Sequence, residues 1–300
     1  MKKAKPFLLA LVVMALWGLM YPSVKLGYQT MNIDRSSIAD ILMFAALRFA
    51  VCGAVLCGFC ACRRKTIVPP KGKTLGYILL IGFFSVILHY SLYYVGLSLT
   101  DSSKTAILKQ SASLLYVCFA FLFFKDESFS ASKIIGAVVG FCGVVAINIS
   151  ASSWAFGLGE GLILIASVAT VTANIISRKS VQNASPFWLT GISQLFGGIV
   201  LLFVALAMGG KLPDFNPKGT LVFTVMCVGT IASYVLWYNA LKTCPLSRMF
   251  IIKFAEPIFA CIFSAILLGE NIFKLQYLIA FILISSGIMI GHIKKERKTV

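Results

Sequence analysis

Acidic residues are scarce in this 300-residue chain: ten Asp and Glu stand against 27 Lys and Arg, and only two histidines, His89 and His292, occur. Two histidines so far apart supply no zinc-ligand spacing, and no metal or other cofactor is expected. Nine cysteines (Cys52, Cys57, Cys60, Cys62, Cys118, Cys142, Cys227, Cys244, Cys261) lie inside or at the ends of apolar stretches, where a thiol packs as a small apolar group. Also missing are His-Glu-x-x-His, Gly-x-Ser-x-Gly and a phosphate-binding Walker loop, so no hydrolase and no ATP-driven machine can be read here. Charged residues make up only 12% of the chain and hydrophobic ones 59%, against about 25% and roughly 45–50% in soluble domains. So large an apolar excess cannot be hidden in a soluble core and calls for lipid as solvent.

The apolar residues fall into ten segments, 6–28, 37–62, 74–98, 104–124, 131–149, 157–177, 185–208, 218–241, 246–268 and 272–292, each close to the ~20 residues that span hydrocarbon. An all-α membrane protein of ten transmembrane helices with short connections is expected. The net charge of +17 could suggest a nucleic-acid partner, but its placement argues against one. Loops on the side of the N-terminus carry Lys2, Lys3, Lys5, Arg63, Arg64, Lys65, Lys71, Lys73, Lys125, Lys133, Arg178, Lys179, Lys242, Arg248 and the Lys294–Lys298 cluster. The opposite loops hold Arg35, Lys104, Lys211, Lys218 and Lys274. This is the positive-inside asymmetry, which sets both termini in the cytoplasm of a multi-pass plasma-membrane (bacterial inner-membrane) protein. The first apolar run imitates a signal peptide, but it is long and shows no cleavage site before Pro22, so it reads as the first helix.

The second half echoes the first. Tyr93-Tyr94-Val95-Gly96-Leu97 is answered 144 residues later by Trp237-Tyr238-Asn239-Ala240-Leu241, and Glu127 by Glu270 at an offset of 143. With five helices per half, residues 1–150 and 151–300 form an inverted five-plus-five repeat, joined at Ser150-Ala151-Ser152-Ser153. The residues Trp17-Gly18 and Pro22, Arg48-Phe49, Asp126-Glu127, Gly136 and Gly143, Trp237 to Leu241, Glu256-Pro257-Ile258, Leu268-Gly269-Glu270 and Gly287 together resemble the EamA-type ten-helix members of the drug/metabolite transporter superfamily. The resemblance covers the whole chain. It implies a secondary transporter with a central site formed by helices 1, 3, 4, 8 and 9, and it leans toward export. One departure stands out: Leu114 occupies the position equivalent to Pro257, where many members carry a second proline.

Ionisable residues inside hydrocarbon cost about 2.5–3.5 kcal/mol each on insertion scales unless paired or wet, and mark function. Arg48, His89, Lys109, Lys253 and Glu256 hold such positions. Lys109 and Lys253 are 144 residues apart, equivalents in the two halves, and two facing ammonium groups invite an anion between them. Glu256 is three residues from Lys253 and reads either as its counter-ion or as a proton-coupling carboxylate. Pro257 removes a helix hydrogen bond beside them. His89 reads as a proton carrier or as a hydrogen-bonded packing residue. Arg48 is expected to be structural, tied to carbonyls or to Asp40 two turns earlier, or to line the path, rather than to contact substrate.

Trp17, Tyr94, Trp237, Tyr238 and Asn239 are further substrate-binding candidates, able to stack on or orient a flat ligand; as membrane-interface residues they would need no ligand. Glu127 and Glu270 sit at helix–helix turns and suit the capping of the following helix. Gly136-x-x-x-Gly140 and Gly287-x-x-x-Gly291 allow close helix approach, within a monomer or across a homodimer. The chain is thus expected to move a small organic anion or zwitterion, such as an amino acid, carboxylate or phosphorylated metabolite, by alternating access. The alternative is export of aromatic amino acids or drugs through an aromatic-lined cavity. A channel or a membrane-embedded enzyme is the more distant alternative.

Overall fold

The computed structural model describes residues 4–63, 67–99, 102–122, 124, 125, 127, 129–148, 157–269 and 275–292; the expected joint at Ser150 to Ser153, Asp126 and Glu270 lie outside them. These residues form ten helical units, seven of them long and apolar enough to cross a membrane, and no strand. They are α1 (Ala4–Thr30), α2 (Ile38–Cys62), α3 (Lys73–Gly82, continuing through a π-helical Phe83–Leu88 into His89–Leu99), α4 (Ser102–Phe119, with a tighter last turn Ala120–Leu122) and α5 (Ala131–Asn148). The second set is α6 (Leu158–Ser180), α7 (Pro186–Ala207), α8 (Pro217–Leu241), α9 (Leu246–Lys253 and Glu256–Leu268) and α10 (Leu275–His292). The ends match the apolar segments to within a few residues because punctuation sits where the apolar runs stop. Ser37 and Asn216 accept the backbone N–H of Asp40 and Gly219 at 3.2 and 2.8 Å, Pro186 and Pro217 open α7 and α8, and Gly269 closes α9 at φ 67°.

The helices pack between halves more than within them. α2 lies along α7, α5 along α10, α1 against α8 and α9, α3 against α6, and α4 against α5, α6 and the first part of α9. The α1–α8 contact has its counterpart in α6–α3, and α9–α1 in α4–α6. Lipid offers helices no hydrophobic reason to associate, so close backbone approach at small residues carries the packing. At the α5–α10 crossing a Cβ built on Gly136 would meet the Gly287 carbonyl oxygen at 2.5 Å, and one on Gly287 would meet the Gly140 nitrogen at 2.5 Å. Both glycine pairs therefore seat α5 on α10 inside one chain.

The ends of the bundle differ. Where α8 turns into α9, Ala240, Leu241, Leu246, Met249 and Phe250 form a sealed core. At the other end, Lys25, Leu26, Gln29, Arg35, Leu267 and Leu268 line a groove of about 500 Å³ between α1 and the end of α9. Gly287→Leu is expected to destabilise the fold by about 1–3 kcal/mol through overpacking. Gly58→Leu, at a position with nothing within 4 Å, should leave thermal unfolding in detergent within about 0.5 kcal/mol of wild type.

Candidate functional site

Three local features bring charge together near the middle of the bundle. In α1, Gly18 lies against the backbone of α9: a Cβ there would meet Phe259 Cβ at 2.6 Å and the Ala260 nitrogen at 2.8 Å. That approach carries Tyr21, one turn further on and next to the in-helix Pro22, up to α9. In α9 the helix is interrupted at Phe254–Ala255, and the second segment restarts at Glu256 with Pro257 in its first turn. Proline fits there because a first-turn N–H has no helix partner to lose. Lys109 reaches across from α4.

Lys109 Nζ donates to the Tyr21 hydroxyl at 2.7 Å, and the Tyr21 hydroxyl donates to Glu256 Oε1 at 2.9 Å. Lys109 Nζ also stands 3.5 Å from Glu256 Oε1 as an ion pair and lies 5.1 and 5.7 Å from the ring centroids of Tyr21 and Tyr93. Glu256 is buried, and its Oε2 makes no hydrogen bond among the described residues. By contrast Lys109 keeps 21% of its side-chain surface open and Tyr21 is 38% exposed. The cluster therefore borders open space. Lys25 and Gln29 follow Tyr21 at four-residue steps on the same face of α1 and lead to the groove described above.

Glu256 was expected to face Lys253 three residues away. The structure instead pairs it within 4.0 Å with Lys109, and leaves Lys253 within electrostatic reach of Glu256 without an ion pair. Lys253 is buried with its Nζ 5.9 Å from the Trp17 ring and 5.8 Å from that of Phe250. Among the described residues no carboxylate lies within 4.0 Å of it.

The remaining candidates separate. Trp17 packs at a tilt on Trp237, centroids 5.0 Å apart, and meets Tyr234 at 5.8 Å, and it forms the wall beside Lys253. Trp237 is sealed behind it, its Nε1 donating to Asn174 at 2.8 Å. Tyr238 is likewise buried, beside Ser177 and Ser193. Asn239 is exposed and donates to the Val235 carbonyl of its own helix. None of these last three reaches the cluster. Tyr94 stands on another wall with Tyr90 and Tyr93, at 5.8 and 5.6 Å.

His89, buried, ties α3 to α6: its Nδ1 lies 3.0 Å from the Ala166 carbonyl and 2.9 Å from the Thr170 hydroxyl. A carbonyl only accepts, so Nδ1 carries the proton. Its ring stacks on Tyr93 at 5.5 Å. The expected Arg48–Asp40 tie does not form, because Asp40 sits in the first turn of α2 and accepts the Lys211 backbone N–H at 2.8 Å.

Glu127 caps a helix, but not the next one. It accepts Ser247 N at 2.9 Å and the Ser247 hydroxyl, and pairs with Lys133 at 2.8 Å, so it holds the start of α9 from 120 residues away. Neither this latch nor the bridging role of Tyr21 was read from the sequence; long-range partners leave no periodic signal. Glu127→Ala strands a buried Lys133 and the Ser247 N–H. It should cost about 2–3 kcal/mol in thermal unfolding, whereas Ser247→Ala should cost about 1 kcal/mol.

Comparison with known proteins agrees with this architecture. A solved crystal structure superposes with a TM-score of 0.78 over 96% of both chains at 15% identity, a likeness of fold alone. An uncharacterized transporter of Archaeoglobus fulgidus is 26% identical over 270 residues, spanning 89% of this chain and 91% of that one. The uncharacterized transporter YetK of Bacillus subtilis is 23% identical, over 86% of this chain and 80% of its own. The description of the EamA-like transporter family matches residues 4–149 and again 157–291. Ten packed helices, a charged cluster among them and a family match along nearly the whole chain agree, and the chain belongs to the EamA-like transporter family, whose proteins work in membranes as transporters and not as enzymes.

Proposed function

We propose that this transporter carries a small organic anion or zwitterion by alternating access, at a site between α1, α4 and α9. The observation that carries the reading is the charge balance of the interior. Three buried or half-buried cations, Arg48, Lys109 and Lys253, face one carboxylate, Glu256, among the described residues of the bundle middle. Glu256 neutralises Lys109. Lys253 is left in a medium where an unpaired charge is costly, and a substrate carboxylate or phosphate would meet it. The unused Oε2 of Glu256 can in turn accept a substrate ammonium, which extends the reading to zwitterions. Proton coupling through Glu256 is compatible with this arrangement. The stacked position of His89 between Ala166, Thr170 and Tyr93 favours packing over proton transfer.

We read residues 1–150 and 151–300 as the two rocking halves, a division supported by helix contacts that recur five helices along and by the double family match. In this reading the Glu127 end is closed and the Arg35 end open. The basic residues Arg63, Lys71, Lys73, Lys125, Arg178 and Lys242 lie at the closed end. By the positive-inside rule that end faces the cytoplasm of the plasma membrane, with both termini there. Export is the direction the family resemblance favours. A second reading, transport of aromatic amino acids or drugs, has the support of the Tyr90–Tyr93–Tyr94 wall.

Thermal unfolding against a metabolite panel tests the reading. A ligand at a hundred times its dissociation constant adds about 2.7 kcal/mol to the stability of the protein that binds it. Anionic or zwitterionic metabolites should stabilise the wild type and lose that effect in Lys253→Gln. Equal stabilisation of both proteins by neutral or cationic aromatics would hand the site to the second reading.

A further inference from the structure

Arg48, like Lys253, is a buried cation with no carboxylate within 4.0 Å among the described residues. It lies in the middle of α2, 5% exposed, its Nε without a hydrogen-bond partner among the described residues. The guanidinium rests over the Phe49 ring at 4.7 Å. Asp40, the acid nearest in sequence on the same helix, is engaged at the helix start. An arginine stays charged at any pH a protein meets and cannot relieve burial by losing its proton.

Tyrosines surround it. The phenols of Tyr90 and Tyr94 lie within electrostatic reach, with Tyr28 and Tyr234 beyond them. The phenols of Tyr28 and Tyr94 lie near each other, and Tyr90 meets the Phe49 ring at a tilt, centroids 4.8 Å apart. The four tyrosines come from α1, α3 and α8, so three helices bring phenols around one guanidinium. All four are only partly buried, as is Tyr93, which links them to Lys109.

We propose that Arg48 is an anion-binding group in its own right. It would receive the carboxylate or phosphate head of a ligand whose flat or apolar body lies between the tyrosine rings. A planar guanidinium offers parallel N–H donors that match two anion oxygens, and the nearby phenols can donate to the same oxygens. The cavity then has two poles, Arg48 on the α2–α3 side and the Lys109–Glu256 cluster on the α4–α9 side. A bound molecule presents its anion to the first and its remaining polar group to the second. This rests on the proposed transport reading and gives the ligand's anion a second seat, at Arg48, besides Lys253.

The test uses the full-length protein in detergent, with 3-phenylpropionate and its neutral amide as probes, titrated by thermal shift. The acid, and not the amide, should stabilise the wild type. Binding should weaken about 10- to 100-fold in Arg48→Gln and by less in Arg48→Lys, which keeps the charge but loses the fork. Removing a cation that has no partner should leave the ligand-free midpoint unchanged or raise it, an outcome a structural arginine does not give. If Arg48→Gln fails to fold, Arg48→Lys decides: a folded protein with weakened acid binding supports the proposal, and a second failure to fold makes Arg48 a structural tie and overturns it. Acid binding that survives Arg48→Gln but is lost in Lys253→Gln overturns it too, leaving the lysine site standing. An acid that does not stabilise the wild type removes both.

Discussion

A charge held in hydrocarbon must find an opposite charge, a dipole or water, and the middle of this bundle is arranged around that requirement. Coulomb attraction between unit charges a few ångströms apart is several times stronger near low-dielectric surroundings than in bulk water. Desolvation takes back much of the gain unless hydrogen bonds complete the geometry. Lys109, Tyr21 and Glu256 meet those terms with two hydrogen bonds of 2.7 and 2.9 Å around one ion pair. Because the three residues come from α1, α4 and α9, the pairing also joins elements from both ends of the chain.

Backbone features serve the same end. Gly18 lets α1 touch the second segment of α9, which opens at Glu256. Further along the bundle, Glu127 and Lys133 clamp the first turn of α9 through Ser247. Helix α9 is thus held at its start and at its middle by groups from the other half of the chain, while its far end borders the open groove. Exchanging either tether for a ligand contact would free α9 to tilt, which is how the proposed alternating access would use them.

How much of this could be read from the sequence follows from the range of each interaction. Segment boundaries were legible because hydropathy and capping residues are local, and Ser37, Pro186 and Pro217 mark them directly. Lys109 and Lys253 stood out in the sequence by their spacing of 144 residues. That Glu256 pairs with Lys109 could not be read, because Lys109 comes from another helix and only the three-residue spacing to Lys253 is local. Arg48 and Asp40 share a helix face two turns apart, yet Asp40 belongs to the bundle end and turns to Lys211. Glu127 was recognisable as a capping residue, but its target lies 120 residues away. Aromatic content alone could not distinguish Trp17, on the wall beside Lys253, from Trp237, sealed behind it.

The central claim is that Glu256 compensates Lys109 and leaves Lys253 to a substrate. A double-mutant cycle on ligand-free thermal stability tests it most directly, with Glu256→Gln combined in turn with Lys109→Met and Lys253→Met. The account predicts that Glu256→Gln is strongly destabilising, that Lys109→Met restores most of the loss, and that Lys253→Met alone costs little. Rescue by Lys253→Met instead, with no coupling between Glu256 and Lys109, would contradict it. Lys253 would then be the internal partner, and the charge offered to a substrate would lie elsewhere.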